Sequence, residues 1–113
     1  NGMDEVSPLH PTHVVEICNN KISTFTINPE KFLSNDEANA IPKDLSPQEN
    51  ATLFIETINN TTLTPLSKLL ALNTALALFV LDDDSSIEDN YTVALDVIHS
   101  GSVAQTLTKL QEG

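Results

Sequence analysis

H-V-V-E-I-C-N-N-K-I-S-T-F-T-I, residues 13–27, consists of two β-rich runs separated by an Asn-Asn pair. Val, Ile, Thr and Phe fit a pleated, half-buried surface. Asn19 and Asn20 accept a positive φ at low cost, so the stretch predicts an antiparallel hairpin closed by a tight turn. In the second run Ile22, Thr24 and Thr26 alternate with Ser23, Phe25 and Ile27, which makes one face the more apolar. Asn28-Pro29 stops it, giving a hairpin over residues 13–28.

Upstream, S-P-L-H-P-T at residues 7–12 holds two prolines and reads as a rigid connecting loop. Downstream, residues 30–45 carry no clear period and read as loop with one turn of helix. From Ser46 the pattern becomes helical. Ser46-Pro47-Gln48-Glu49 is a capping box with proline at the first helical position, leading into Ala51, Phe54, Ile55 and Ile58 on one face. Thr64-Pro65 opens a second helix whose body, Leu69 to Leu81, is apolar on nearly every side apart from Asn73 and Thr74. A membrane span takes about 20 apolar residues. This run has 13 at most, so a buried core helix is expected. Asp82-Asp83-Asp84 ends it. Ser85 is expected to cap a third helix, with Glu88 completing the box and Ile87, Tyr91, Ala94, Leu95 and Ile98 facing inward. His99 lies in the last turn, and Gly101 is placed for a left-handed stop. Ser102 restarts a short final helix carrying Val103, Leu107 and Leu110. The order is one hairpin followed by three or four helices, with the helical part spanning residues 46–111.

The chain of 113 residues has the length of one domain and can bury about two-thirds of its unfolded surface. Charge is its unusual property: five lysines, no arginine and sixteen acids leave a net charge of -11. Without arginine there is no bidentate clamp for phosphate or guanine. Such an acidic chain repels nucleic acid and anionic membrane, so neither is expected as a partner. It also repels a phosphorylated substrate unless a cation or another stretch of protein intervenes. Cys18 is the single cysteine, which excludes an internal disulfide and fits a reducing compartment. Residues 1–10 have no basic start and no apolar run, so a cytoplasmic location is expected. N-x-[ST] matches begin at Asn50, Asn59, Asn60 and Asn90, a frequency that chance produces in a chain rich in Asn and Thr.

Few constellations suggest chemistry. Asp4 and Glu5, inside G-M-D-E-V-S at residues 2–7, place two carboxylates side by side, and carboxylate oxygens are the ligands of hard cations such as magnesium. Taken alone, the pair reads as an acidic terminus. His10 and His13 are too few for zinc, which needs three or four ligands. The triple aspartate lacks the glycine and twelfth-position glutamate of a calcium loop, and reads as a solvated helix end. Asn73 is expected as a hydrogen-bonded packing residue, and Cys18 as a small core residue on its strand. The three glycines, Gly2, Gly101 and Gly113, stand apart, so the chain holds no glycine-rich phosphate loop.

Read in order, these pieces resemble the carboxy-terminal part of anthranilate phosphoribosyltransferase. The resemblance is carried by G-M-D-E-V-S, Pro11-Thr12, V-V-E-I and I-S-T-F-T-I-N-P-E-K-F. It continues through P-Q-E-N-A at 47–51, L-N-T-A-L-A-L-F at 72–79 and I-H-S-G-S-V-A from Ile98, covering almost the whole chain in order and spacing. It implies an α/β fold, in which residues 1–113 form the carboxy-terminal portion of the large catalytic domain and lend a hairpin to a larger sheet. It implies transfer of phosphoribosyl from phosphoribosyl pyrophosphate to anthranilate, with release of pyrophosphate, in tryptophan biosynthesis. It also implies magnesium held by Asp4 and Glu5, in a metal-binding loop over residues 1–12. The sequence departs from the family at His10, at Leu33 and at Pro42-Lys43-Asp44, where glycine or another small residue is usual.

The family's glycine-rich loop, its substrate contacts and the helical region through which it forms homodimers have no counterpart in these residues. The chain is therefore expected to be one piece of a longer enzyme, inactive by itself and short of the strands that its hairpin needs. Two other readings are a related phosphoribosyltransferase or nucleoside phosphorylase with another acceptor, and a non-catalytic acidic domain that binds a protein partner through its helices.

Overall fold

The computed structural model describes residues 5–60, 62–82 and 84–112. Strands β1 (Thr12–Cys18) and β2 (Lys21–Ile27) pair antiparallel, with Val14 opposite Phe25 and Ile17 opposite Ile22. Asn19 and Asn20 sit at φ 52° and 64°, the two positive values that a two-residue hairpin turn of the favoured hand requires. Phe25 and Ile27 point inward, and Phe25 meets Phe79 edge-on at 5.3 Å between ring centres. The opposite face carries Val15, Ile17 and Ile22, all largely exposed. Cys18 does not become a core residue: it is exposed at the turn end of β1, opposite Lys21.

A single 3-10 turn, Pro29–Lys31, leads out of β2. Where mostly loop was expected, a short helix α1 (Asn35–Ala40) forms behind a complete capping box between Ser34 and Glu37. Six residues are too few to show a hydrophobic period, but S-N-D-E at residues 34–37 carried the cap signal. The chain then passes through Asp44 at φ 56°, a left-handed conformation adopted here without glycine. Aspartate tolerates this region better than most side chains.

Four longer helices follow: α2 (Pro47–Asn59), α3 (Pro65–Leu81), α4 (Ile87–His99) and α5 (Ser102–Glu112). The first two begin where proline at the first helical position predicts, behind capping boxes at Ser46/Glu49 and Thr64/Ser67. The cap of α4 lies one residue later than expected. Ser86 accepts the Asp89 N–H, whereas the Ser85 hydroxyl donates to the Asp82 carbonyl at 2.6 Å and accepts from the Asn90 amide at 2.9 Å. With Ser85 closing the turn after α3, the next serine takes the cap. Gly101 has φ 84° and ends α4 as expected.

Core formation centres on α3. Val6, Ile27, Leu33 and Leu72 form one buried cluster, joining the amino-terminal loop, the hairpin and α3. Ala71, Ala94 and Ile98 form a second between α3 and α4, where alanines let two helices approach closely. Tyr91 packs against both, edge-on to Phe32 at 4.7 Å, and its hydroxyl donates to the Phe32 carbonyl at 3.3 Å.

Two expected inward faces are only partly realised. In α2, Ile58 is buried but Ala51, Phe54 and Ile55 are exposed, because only the carboxy-terminal end of that helix is buried. In α5, Leu110 is exposed and no residue is fully buried. Among the described residues no helix is long and apolar enough to cross a membrane.

Candidate functional site

Glu5 stands where the chain enters the core. Asp4 lies outside the described residues. Glu5 is exposed, and the two residues after it are among the most buried of the chain: Val6 is 1% and Ser7 2% exposed. Burying two backbone amides obliges each to find an acceptor, and both are satisfied by side chains. The Val6 N–H donates to Asn73 Oδ1 at 2.8 Å, and Asn73 Nδ2 in turn donates to the Leu69 carbonyl at 3.1 Å. The Ser7 N–H donates to Thr12 Oγ1 at 3.3 Å. The Ser7 hydroxyl then accepts from both the Leu9 and the His10 N–H at 3.2 Å, curling S-P-L-H into a tight loop before β1.

An exposed carboxylate thus emerges from a fixed backbone. Carboxylate oxygen is the right donor for a hard cation, and magnesium keeps several waters while taking only one or two carboxylates from protein when phosphates supply the rest. The residues present suit that open coordination. They do not suit a closed cage: among the described residues no group of three His, Cys, Asp or Glu side chains is placed to hold a metal. His10 is exposed in the loop, and His13 pairs through Nδ1 with Thr26 Oγ1 at 3.1 Å across the outer face of the hairpin. Asp82 Oδ1 accepts the Asp84 N–H at 3.2 Å in a solvated turn, while Asp83 lies outside the described residues.

Beside the loop runs a largely apolar groove of about 400 Å³, bounded by Leu9 and His10, by Ile41 and Lys43, and by Leu66 and Leu69. Among the described residues no carboxylate lines it. Further along α3, Lys68 forms an ion pair with Glu37 at 2.6 Å; its hydrogen bond, together with those from Ser34, holds the Glu37 carboxyl below the ordinary carboxylate range. Burial, with a smaller contribution from the negative charge of Glu37, pushes the Tyr91 phenol up to about 12.

Sequence reading named Glu5 as a candidate ligand and expected Asn73 to be hydrogen-bonded, as it is, but did not link the two. It missed Ser7, whose buried hydroxyl organises the loop. An asparagine inside an otherwise apolar helix was the available signal for the first, and serine before proline for the second.

The model of the glycosyl transferase family a/b domain matches residues 1–104, and the chain belongs to that family. It is 37% identical to an anthranilate phosphoribosyltransferase of Acetivibrio thermocellus, over 98% of this chain and 32% of the relative. It is 36% identical to the enzyme of that name from Methanosarcina mazei, over 90% of this chain and 27% of the relative. With the Bacillus subtilis enzyme it shares 29% over 98% of this chain and 33% of the relative. The chain therefore spans about a third of the length of these curated relatives. A two-stranded hairpin followed by helices is the expected α/β piece of such a domain.

Proposed function

We propose that this chain is the metal-binding portion of a phosphoribosyltransferase that joins phosphoribosyl pyrophosphate to anthranilate, releasing pyrophosphate, in the cytoplasm. The observation that carries the proposal is the exposed Glu5 carboxylate on a backbone anchored at Val6 and Ser7, in a chain similar throughout to relatives bearing that enzyme name. Asp4 and Glu5 are the residues to hold magnesium. When bound, magnesium neutralises charge on a pyrophosphate leaving group.

The chain's own contribution is positional. Glu5 presents oxygen ligands, and the buried Val6 and Ser7 hold the backbone that carries them. With a net charge of -11 and no arginine, these residues cannot bind a polyphosphate directly. The contacts to the donor phosphates and to anthranilate belong to other parts of the enzyme, so residues 1–113 alone should form no phosphoribosyl anthranilate.

A chimera tests the reading. The chain replaces the matching segment of the Acetivibrio thermocellus relative, and anthranilate fluorescence is followed with phosphoribosyl pyrophosphate and magnesium. Consumption of anthranilate by the chimera, abolished by Asp4→Asn with Glu5→Gln, is the expected result. A folded chimera that is inactive, or whose activity survives the double substitution, sinks the reading.

A further inference from the structure

We propose that Asn73 is a positioning residue for Glu5: through the Val6 amide it holds the backbone from which Glu5 presents its carboxylate to a divalent cation. This rests on the metal role proposed for Asp4 and Glu5.

The geometry is specific. Asn73 stands 67 positions from Val6 in sequence, yet its Oδ1 lies 2.8 Å from the Val6 nitrogen. Its amide cannot turn away at no cost, because Nδ2 is engaged by the Leu69 carbonyl, one turn earlier in α3. Helix α3 is the central element of the core, with Ala71, Leu72 and Ala75 fully buried around Asn73. The bond therefore connects the core helix to the peptide joining Glu5 to Val6. Side-chain packing of Val6 fixes where that residue sits, but an apolar contact is non-directional. A hydrogen bond to the amide fixes the orientation of the peptide plane, and with it the position of the Glu5 Cα from which the side chain departs. Carboxylate oxygens three rotors beyond a wandering backbone would lose ligand affinity through disorder; outer partners of metal ligands commonly contribute 10–100-fold in affinity.

A polar residue at this place also has a cost that packing alone does not explain. An apolar side chain of similar volume at this half-buried position would leave the buried Val6 N–H without an acceptor. The asparagine satisfies that donor at the backbone amide that joins Glu5 to Val6.

Nitrogen-15 NMR of the full 113-residue chain with added Mn²⁺ reads the proposal, since paramagnetic broadening reports weak binding. In the parent chain the Glu5, Val6 and Ser7 amides should broaden at low Mn²⁺, and Glu5→Gln should remove this. Asn73→Ala should raise the Mn²⁺ needed for equal broadening about tenfold or more, and should speed hydrogen exchange of the Val6 amide. Asn73→Asp, which keeps an acceptor oxygen for Val6 but loses the donor to the Leu69 carbonyl, should restore part of the slow exchange and of the broadening. Asn73→Gln, carrying its amide one methylene further, supplies the same comparison should the alanine variant not fold. Signals of Asp82 and Asp84 serve as the internal control, broadening equally in every variant. Glu5-dependent broadening that is unchanged in folded Asn73→Ala or Asn73→Gln overturns the positioning role alone. Absence of Glu5-dependent broadening in the parent overturns the metal reading, and the positioning role with it.

Discussion

Lys68 Nζ on α3 lies 2.6 Å from Glu37 Oε2 on α1, tying the short helix that follows the hairpin to the central helix of the core. Both side chains are partly exposed, so replacing Lys68 with Met should cost only about 0.2–1 kcal/mol at neutral pH. The pair has a pH signature. Folding lowers the pKa of Glu37, so its contribution is fully present above the carboxyl's unfolded value, 4.5, and is lost as pH falls through the lower folded value. Urea midpoints of the parent and Lys68→Met should therefore converge in acid.

Tyr91 has the opposite sign. Its phenol is raised from the ordinary 10.0 to about 12, so the unfolded chain ionises first. Stability is intact below the unfolded value and should fall as pH climbs through the folded one. Tyr91→Phe loses the bond to the Phe32 carbonyl but keeps the ring contact, at a cost of about 0.5–1.5 kcal/mol near neutrality. Its stability should lack the alkaline decline, as followed by circular dichroism in urea.

The start of α4 is set by Ser86, which accepts the Asp89 N–H at 3.0 Å. Ser86→Ala should destabilise the chain by about 1 kcal/mol through loss of the cap. Ser86→Gly should recover most of that loss, because glycine is itself an acceptable cap residue. Thermal midpoints of the two variants check the assignment.

Asp44 occupies the left-handed region at φ 56°. Asp44→Gly should be neutral or slightly stabilising, since the relieved backbone cost and the added freedom of the unfolded chain nearly cancel, each about 1 kcal/mol. Asp44→Val places a β-branched side chain there and should destabilise by at least that amount. The difference in denaturant midpoint between the two variants is the measurement.

The two faces of the hairpin should answer mutation differently. Leu72, fully buried beneath the inner face, should cost about 2–5 kcal/mol on replacement by alanine. Ile17, 74% exposed on the outer face, should change stability by no more than about 0.5 kcal/mol on replacement by threonine. A large loss at Ile17 in urea titrations would mean that the outer face is covered in solution.

Local signals carried far in this chain. The Asn-Asn turn, proline at the first position of α2 and α3 and glycine after α4 act through backbone torsions and near-neighbour hydrogen bonds, so their consequences are visible in short stretches of sequence. Errors came where two local solutions were close in energy or where a partner lay elsewhere. Ser85 and Ser86 are both competent caps, and the turn closed by Ser85 decided between them. Phe54, Ile55 and Leu110 form regular apolar faces, yet periodicity states only that a face is apolar, not that anything packs against it.

Residue types and their spacing by themselves determined the hairpin and the starts of the longer helices, whereas the Asp4-Glu5 pair read alone was only an acidic stretch and drew its metal role from the family resemblance. Tertiary structure alone decided that Val6 is buried while Glu5 remains exposed, and that the amide between them is held by Asn73. Sequence records no bond across 67 positions. That contact exists because the apolar Val6 and Leu72 enter one core, which brings the buried Val6 amide against Asn73, and each satisfies the other's need for a partner.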